Sequence, residues 1–203
     1  MLKSASKIVE ADPRHAAEVI FYPATGLLRP AEAADLHALV AGIEVSAAAP
    51  PVIRQQFDLA RNAFVYSWFV YELATLAEKQ AYAVVEMALR EKVRLATGKS
   101  PGRRDLRSLI QDAERRGWLR RADFGEGVRP FHPLDAIVAL RNDLAHGSGR
   151  LMPNGSLDMI ELCAEVINRL FLFPPAAEPH PAPEALATEP GGCAPPKGGN
   201  SVE

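Results

Sequence analysis

Cysteine is scarce. Of 203 residues only two are cysteine, Cys163 and Cys193, and their spacing fits no metal motif, which argues against a disulfide framework or a zinc site. Cys163 falls among apolar residues and reads as a small core residue. HExxH and CxxC are absent, GRLMPNG is not a P-loop, and GEGVRP lacks the Lys-Ser/Thr that would complete one. Excess charge is lacking too: the formal net charge is −2, which argues against coating nucleic acid by overall charge, though a mean can hide a patch. The opening MLKSASKIVEADPRH has no apolar signal-peptide core. The most lipid-like run, AFVYSWFV at 63–70, is interrupted by Glu72, Glu78 and Lys79 well short of the ~20 residues of a membrane span. A soluble, cytoplasmic protein without membrane contact is expected.

What remains is helical in pattern. Neither proline nor glycine occurs between Val52 and Thr97, so either one long kinked helix or two helices meeting near residues 60–66 is expected. In that stretch Trp68, Glu72, Leu76 and Lys79 fall on one line, and Phe69, Leu73, Leu76, Ala77 and Gln80 on a more apolar one. Residues 31–42 have helical spacing after Pro30, a residue suited to a first turn. TGKSPGRRD (97–105) is a loop. DLRSLIQDAERRGWL follows, with Leu106, Leu109, Ile110 and Ala113 on one face and a stop at Gly117. PLDAIVALRNDLAH (133–146) is bracketed by Pro133 and Gly147. LMPNGS reads as a turn before a last helix from Leu157. Strand pairing suggests itself only at KIVEA or EVIFY. The expected class is an all-α bundle: an extension over 1–50 with one or two short helices, a helical domain over 51–172, and a tail over 173–203. The tail holds eight of the 17 prolines and too little apolar surface to offset its ordering entropy, so disorder is expected there.

Basic charge is concentrated. Residues 90–121 contain eleven Lys/Arg against four Asp/Glu, with the pairs Arg103–Arg104, Arg115–Arg116 and Arg120–Arg121. Such a strip is either a solvated helix face or a surface that follows phosphates, supplying affinity rather than sequence readout. His15, His37, His132 and His180 lack partners in sequence and read as surface or loop residues, with His37 a candidate for half-burial.

The stretch LRNDLAHGSGR (140–150) is different. Asn142 and His146 are i and i+4 on one helix face, and the Arg141 guanidinium can reach across from about 100° round. The helix C-terminus favours imidazolium, while a nearby arginine opposes it. A group titrating near neutral pH beside a fixed cation suits RNA hydrolysis without a metal or cofactor: imidazole takes the ribose 2′-hydroxyl proton and guanidinium clamps the phosphate. The same residues also fit an ordinary capped helix end, with Arg141 paired to Asp143 or another neighbour.

RNDLAHG at a helix end resembles the signature of the HEPN superfamily (higher eukaryotes and prokaryotes nucleotide-binding domain): Arg, a polar residue, then His a few positions on. The order of elements is similar as well, from EMALREKV through a loop to SLIQDAERRGWL, a polar loop, LDAIVALRNDLAHG and a closing helix, together spanning about 52–172. The resemblance implies a HEPN-like helical bundle and a metal-independent endoribonuclease of toxin or defence type. Arg141 and His146 would be catalytic and Asn142 orienting, with two protomers sharing one cleft. Arg103, Arg104, Arg115, Arg116, Arg120 and Arg121 would bind RNA. It also implies an antitoxin partner, in some members a minimal nucleotidyltransferase. Other members are non-catalytic modules that bind nucleotide, RNA or protein. A homodimer would supply a second histidine as the acid, and FVYSWFVY (64–71) offers either a dimer surface or core.

Overall fold

A computed structural model describes residues 2–22, 26–125, 132–147 and 153–172. The tail at 173–203, with His180 and Cys193, lies outside the described residues, as does most of the polar loop at 126–131. The chain is mostly helical, as its all-α pattern predicts. The helices are α1 (Pro13–Ala16), α2 (Ala33–Ala41), α3 (Pro51–Tyr66), α4 (Leu73–Thr97), α5 (Leu106–Arg115), α6 (Pro133–Ala145) and α7 (Pro153–Leu172). Strands β1 (Val19–Tyr22) and β2 (Leu27–Pro30) form one antiparallel hairpin with Val19 opposite Pro30.

The long α4 is the axis of the bundle and packs along α3 and α7, with α5 and α6 against it further on. Alanine occupies four of its buried positions, Ala74, Ala77, Ala81 and Ala88, which keeps that face thin where neighbours press against it. On α3, Ile53, Phe57, Ala60 and Phe64 recur at helical spacing and are buried. On α5, Leu106, Leu109, Ile110 and Ala113 are buried as their spacing predicts. Leu134 and Ile137 seat α6, and Ile160, Cys163, Ile167 and Leu170 seat α7, all of them fully buried. Each large aliphatic side chain of this kind contributes about 1.5–3 kcal/mol of burial. Leu36, Val40, Ile43 and Ala49 belong to the same core, so the second part of the N-terminal extension shares it.

Several local expectations are corrected. The break in the long glycine-free segment falls at 67–72, after the expected 60–66. Ser67 closes α3: its buried hydroxyl donates to the Phe64 carbonyl at 2.6 Å. The groups left open at the elbow find partners in the N-terminal arm. The Asp12 N–H donates to the Trp68 carbonyl at 2.8 Å, and the Tyr71 N–H to the Asp12 carboxylate at 3.4 Å. Because the helix breaks there, the lines drawn through Trp68, Leu73 and Leu76 do not continue: Leu76 is half exposed, while Ala77, on the expected apolar line, faces the core together with Ala74.

His15 is buried rather than on the surface, its ring 5.7 Å from Trp68 and 4.8 Å from Tyr71. FVYSWFVY is thus the elbow, with Phe64 and Ser67 buried and Tyr66 and Val70 exposed. His37 is exposed. Pro30 ends β2 instead of opening α2. That helix starts from a capping box in which the Glu32 N–H donates to Asp35 Oδ2 at 2.7 Å. α7 starts at Pro153, inside the stretch expected to be a turn. EVIFY is a strand, whereas KIVEA is not.

Candidate functional site

α6 ends where local chemistry demands. Pro133 opens it and the His132 ring caps it, Nδ1 accepting the Leu134 N–H at 3.2 Å. At the other end the His146 N–H donates to the Asn142 carbonyl at 3.0 Å. Gly147 then takes φ +86°, a left-handed conformation that side chains with a Cβ resist. Leu144 is the buried anchor of this last turn, while Arg141, Asn142, Asp143 and His146 are all exposed. Among the described residues the exposed His146 imidazole has no hydrogen-bond or ionic partner.

Arg141 does not pair with Asp143. Its Nη2 lies 3.3 Å from Glu86 Oε2 on α4, and its Nη1 lies 3.4 Å from Asn142 Oδ1. The other Glu86 oxygen accepts from Arg90 at 2.8 Å. Arg90 in turn donates to the carbonyls of Gly102 and Arg104, each at 2.6 Å. A chain of hydrogen bonds and ion pairs thus links the end of α6 through one carboxylate to the loop between α4 and α5. Beside it lies a cleft of about 340 Å³, lined on one wall by Lys79, Tyr82 and Glu86 and on the other by Arg141, Leu144 and Ala145. His146 follows directly in the chain but does not line this cleft.

Below the cleft α4 is locked to α7. The Tyr82 hydroxyl donates to Glu78 Oε1 at 2.6 Å, and Ser156 Oγ donates to Glu78 Oε2 at 2.9 Å. Burial, then the neighbouring carboxylate, pushes the Tyr82 phenol well above its ordinary range. Burial likewise pushes up the thiol of Cys163, a core residue as expected.

The basic strip divides into two populations. Arg104, Arg115 and Arg116 converge on Asp112 at 3.0–3.2 Å. Burial raises the Asp112 carboxyl, but the hydrogen bonds and charges of these arginines outweigh it and hold the group below its usual range. Arg120 pairs with Asp123 at 3.1 Å. Arg121 bridges Glu114 at 2.7 Å and Asp135 at 2.8 Å. Arg103 stands apart, exposed and without an ion pair among the described residues, and so does Arg107, which the sequence pattern did not single out. Glu86, Arg90, Lys79 and Tyr82 were likewise not recognisable as site residues. The only local hint was the i, i+4 spacing of Glu86 and Arg90 inside EMALREKV.

Among the described residues no helix is long and apolar enough to cross a membrane, and no three His, Cys, Asp or Glu side chains gather as a metal site would require. No protein-family model matches this chain, and no curated protein or solved structure matches it either.

Proposed function

We propose that this chain is a HEPN-like, metal-independent endoribonuclease of toxin or defence type, acting through Arg141 and His146. The observation that carries the reading is the last turn of α6: an exposed imidazole, without a partner among the described residues, lies five residues after an arginine whose guanidinium is oriented by Glu86. The order α4, loop, α5, loop, α6, α7, with the motif ending α6, supports the resemblance in architecture.

In the proposed reaction the neutral His146 imidazole takes the proton of a ribose 2′-hydroxyl. The 2′-oxygen attacks the adjacent phosphorus, and the bond to the 5′-oxygen breaks. Arg141 stabilises the charge that builds on the phosphoryl oxygens. The leaving 5′-oxygen takes a proton from an imidazolium, supplied by His146 of a second copy in a homodimer. The products are a 2′,3′-cyclic phosphate and a 5′-hydroxyl. Asn142, at 3.4 Å from Arg141, orients the guanidinium or the phosphate. An antitoxin, a minimal nucleotidyltransferase in some members of the resembling family, would restrain such an activity.

The test is RNA cleavage by purified protein in EDTA beside His146→Ala. Cyclic-phosphate ends made by wild type alone are expected. Wild type and variant equally inert across varied RNAs would overturn the proposal. A second reading, a non-catalytic module that binds nucleotide, RNA or a protein partner, is favoured by one observation: Arg141 is engaged by Glu86 and lines a cleft that His146 does not. RNA binding that survives His146→Ala, without cleavage by wild type, would select it.

A further inference from the structure

We propose that Lys99, Arg103 and Arg107 form, together with Arg141, the surface along which an RNA backbone is led to the end of α6. This rests on the ribonuclease reading above for its partner but on separate observations for its location.

The first observation is which cations are already used. An arginine held by a carboxylate of its own chain must share or give up that ion pair before it can take a phosphate, at a cost in affinity. Arg104, Arg115 and Arg116 hold Asp112, and Arg120 and Arg121 hold Asp123, Glu114 and Asp135. Those on Asp112 brace α5 itself, and Arg121 joins α5 and the turn after it to Asp135 on α6. Earlier in the strip Arg90 and Arg94 hold Glu86 and Glu91, and Lys92 lies over the Trp118 ring. Lys99, Arg103 and Arg107 are exposed and make no ion pair within 4 Å among the described residues. All three lie in the α4–α5 loop or the first turn of α5; Arg141, which shares Glu86 with Arg90, is the paired cation at the end of this surface.

The second observation is where that loop is held. Arg90 donates to the carbonyls of Gly102 and Arg104, the two residues that flank Arg103, and Glu86 joins Arg90 to Arg141. Thr97 fastens the start of the loop, its hydroxyl donating to the Val93 carbonyl at 2.8 Å. Further along, the Asp105 carboxylate caps α5 by accepting the Ser108 N–H at 2.7 Å. This hydrogen bond, and then the charges of Arg107 and Arg141, hold its carboxyl below the usual range. The chain Arg141–Glu86–Arg90 thus reaches the backbone on both sides of Arg103, which sets the loop beside the end of α6. The carboxylates beside these cations are Asp105, capping α5, and Glu86, on Arg141, and the cations Lys99, Arg103, Arg107 and Arg141 outnumber them.

A loop fixed at both ends presents its cations without a large ordering cost on binding. The phosphates it would meet are those flanking the scissile one, so this surface should set affinity for a chain and contribute little to the cleavage of a dinucleotide.

The experiment uses full-length protein carrying His146→Ala and a fluorescent single-stranded RNA, with the dissociation constant measured over a range of salt. Arg103→Gln with Arg107→Gln is compared with Arg115→Gln with Arg120→Gln, which removes the same charge from paired positions. The first pair is expected to lower the slope of log affinity against log salt by about 1.4, at about 0.7 for each phosphate no longer neutralised. The second pair should leave the slope unchanged, and Arg103→Lys with Arg107→Lys should keep most of it. Equal reductions from both glutamine pairs, or an unchanged slope from the first, would overturn the proposed path. Cleavage measured in parallel with His146 restored separates the two ideas. Wild type that cuts, with the loop pair cutting long RNA equally well, sinks the path and leaves the ribonuclease reading standing. Loop-dependent binding without cutting does the reverse.

Discussion

Glu86 and Arg141 stand 55 residues apart in sequence and 3.3 Å apart in space. The carboxylate fixes where the guanidinium points and which of its nitrogens stay open to a ligand. It also lowers the positive charge Arg141 presents, so it both orients and restrains.

Replacing Glu86 by Gln keeps the shape and removes the charge. The substitution weakens two partly exposed pairs, to Arg141 and to Arg90, each contributing about 1 kcal/mol or less, so the melting temperature should fall by no more than a few degrees. RNA cleavage should fall by about tenfold, or about 1.4 kcal/mol, from loss of orientation. A large drop in melting temperature with unchanged specific activity would assign Glu86 a purely structural role. Arg141→Lys should cost at least as much activity, because an ammonium cannot reproduce a planar fork.

Ile137 separates packing from chemistry. It is fully buried on α6, and Ile137→Ala should cost about 2–5 kcal/mol in urea unfolding. His146→Ala, exposed at the same helix's end, should leave the unfolding midpoint close to wild type while abolishing cleavage. If His146→Ala unfolds as readily as Ile137→Ala, the histidine is a structural cap.

Gly147 holds φ +86° with open space where a Cβ would stand. Gly147→Ala should therefore cost about 1 kcal/mol from backbone strain alone. It should also shift the imidazole of His146, which a two-dimensional NMR spectrum of the histidine ring protons would register.

Acid should loosen the α5 region. Asp112 is held below its ordinary range by its arginines, net of burial, and Asp135 by its hydrogen bond to Arg121. A carboxyl whose native value lies below its unfolded one binds fewer protons when folded. Its stabilisation is thus complete above the ordinary carboxylate value, about pH 4, and is lost as pH falls through the native value. The melting temperature should fall below about pH 4. Asp112→Asn should start lower, with three arginines left around a neutral amide, and should show a shallower acid limb. An acid limb as steep as that of wild type would mean that other carboxylates carry the effect.

How much of this was readable depended on how far each cause lay along the chain. The bounds of α6 follow from Pro133 and Gly147, and the buried face of α5 from Leu106, Leu109, Ile110 and Ala113, all within a few residues of their effects. The exposure of Asn142 and His146 on one turn was legible for the same reason. Glu86 was not, because nothing near position 86 records that Arg141 will arrive beside it. The division of the arginines was hidden as well: pairs such as Arg115–Arg116 read as one strip, whereas a single acceptor, Asp112, draws three of them together. Pro30 fits both a first helical turn and a strand end, and only pairing with Val19 decides it. The elbow at 67–72 was misplaced because its backbone partners come from Asp12, more than fifty positions earlier.

That last pairing has a consequence for motion. With Asp12 bonded to both Trp68 and Tyr71, the arm and the elbow can open only together, as one cooperative unit of local unfolding. Amide hydrogens at the arm and at Tyr71 should then exchange with solvent at a common rate. A change confined to the first eighteen residues would be felt at the joint between the two longest glycine-free helices of the bundle.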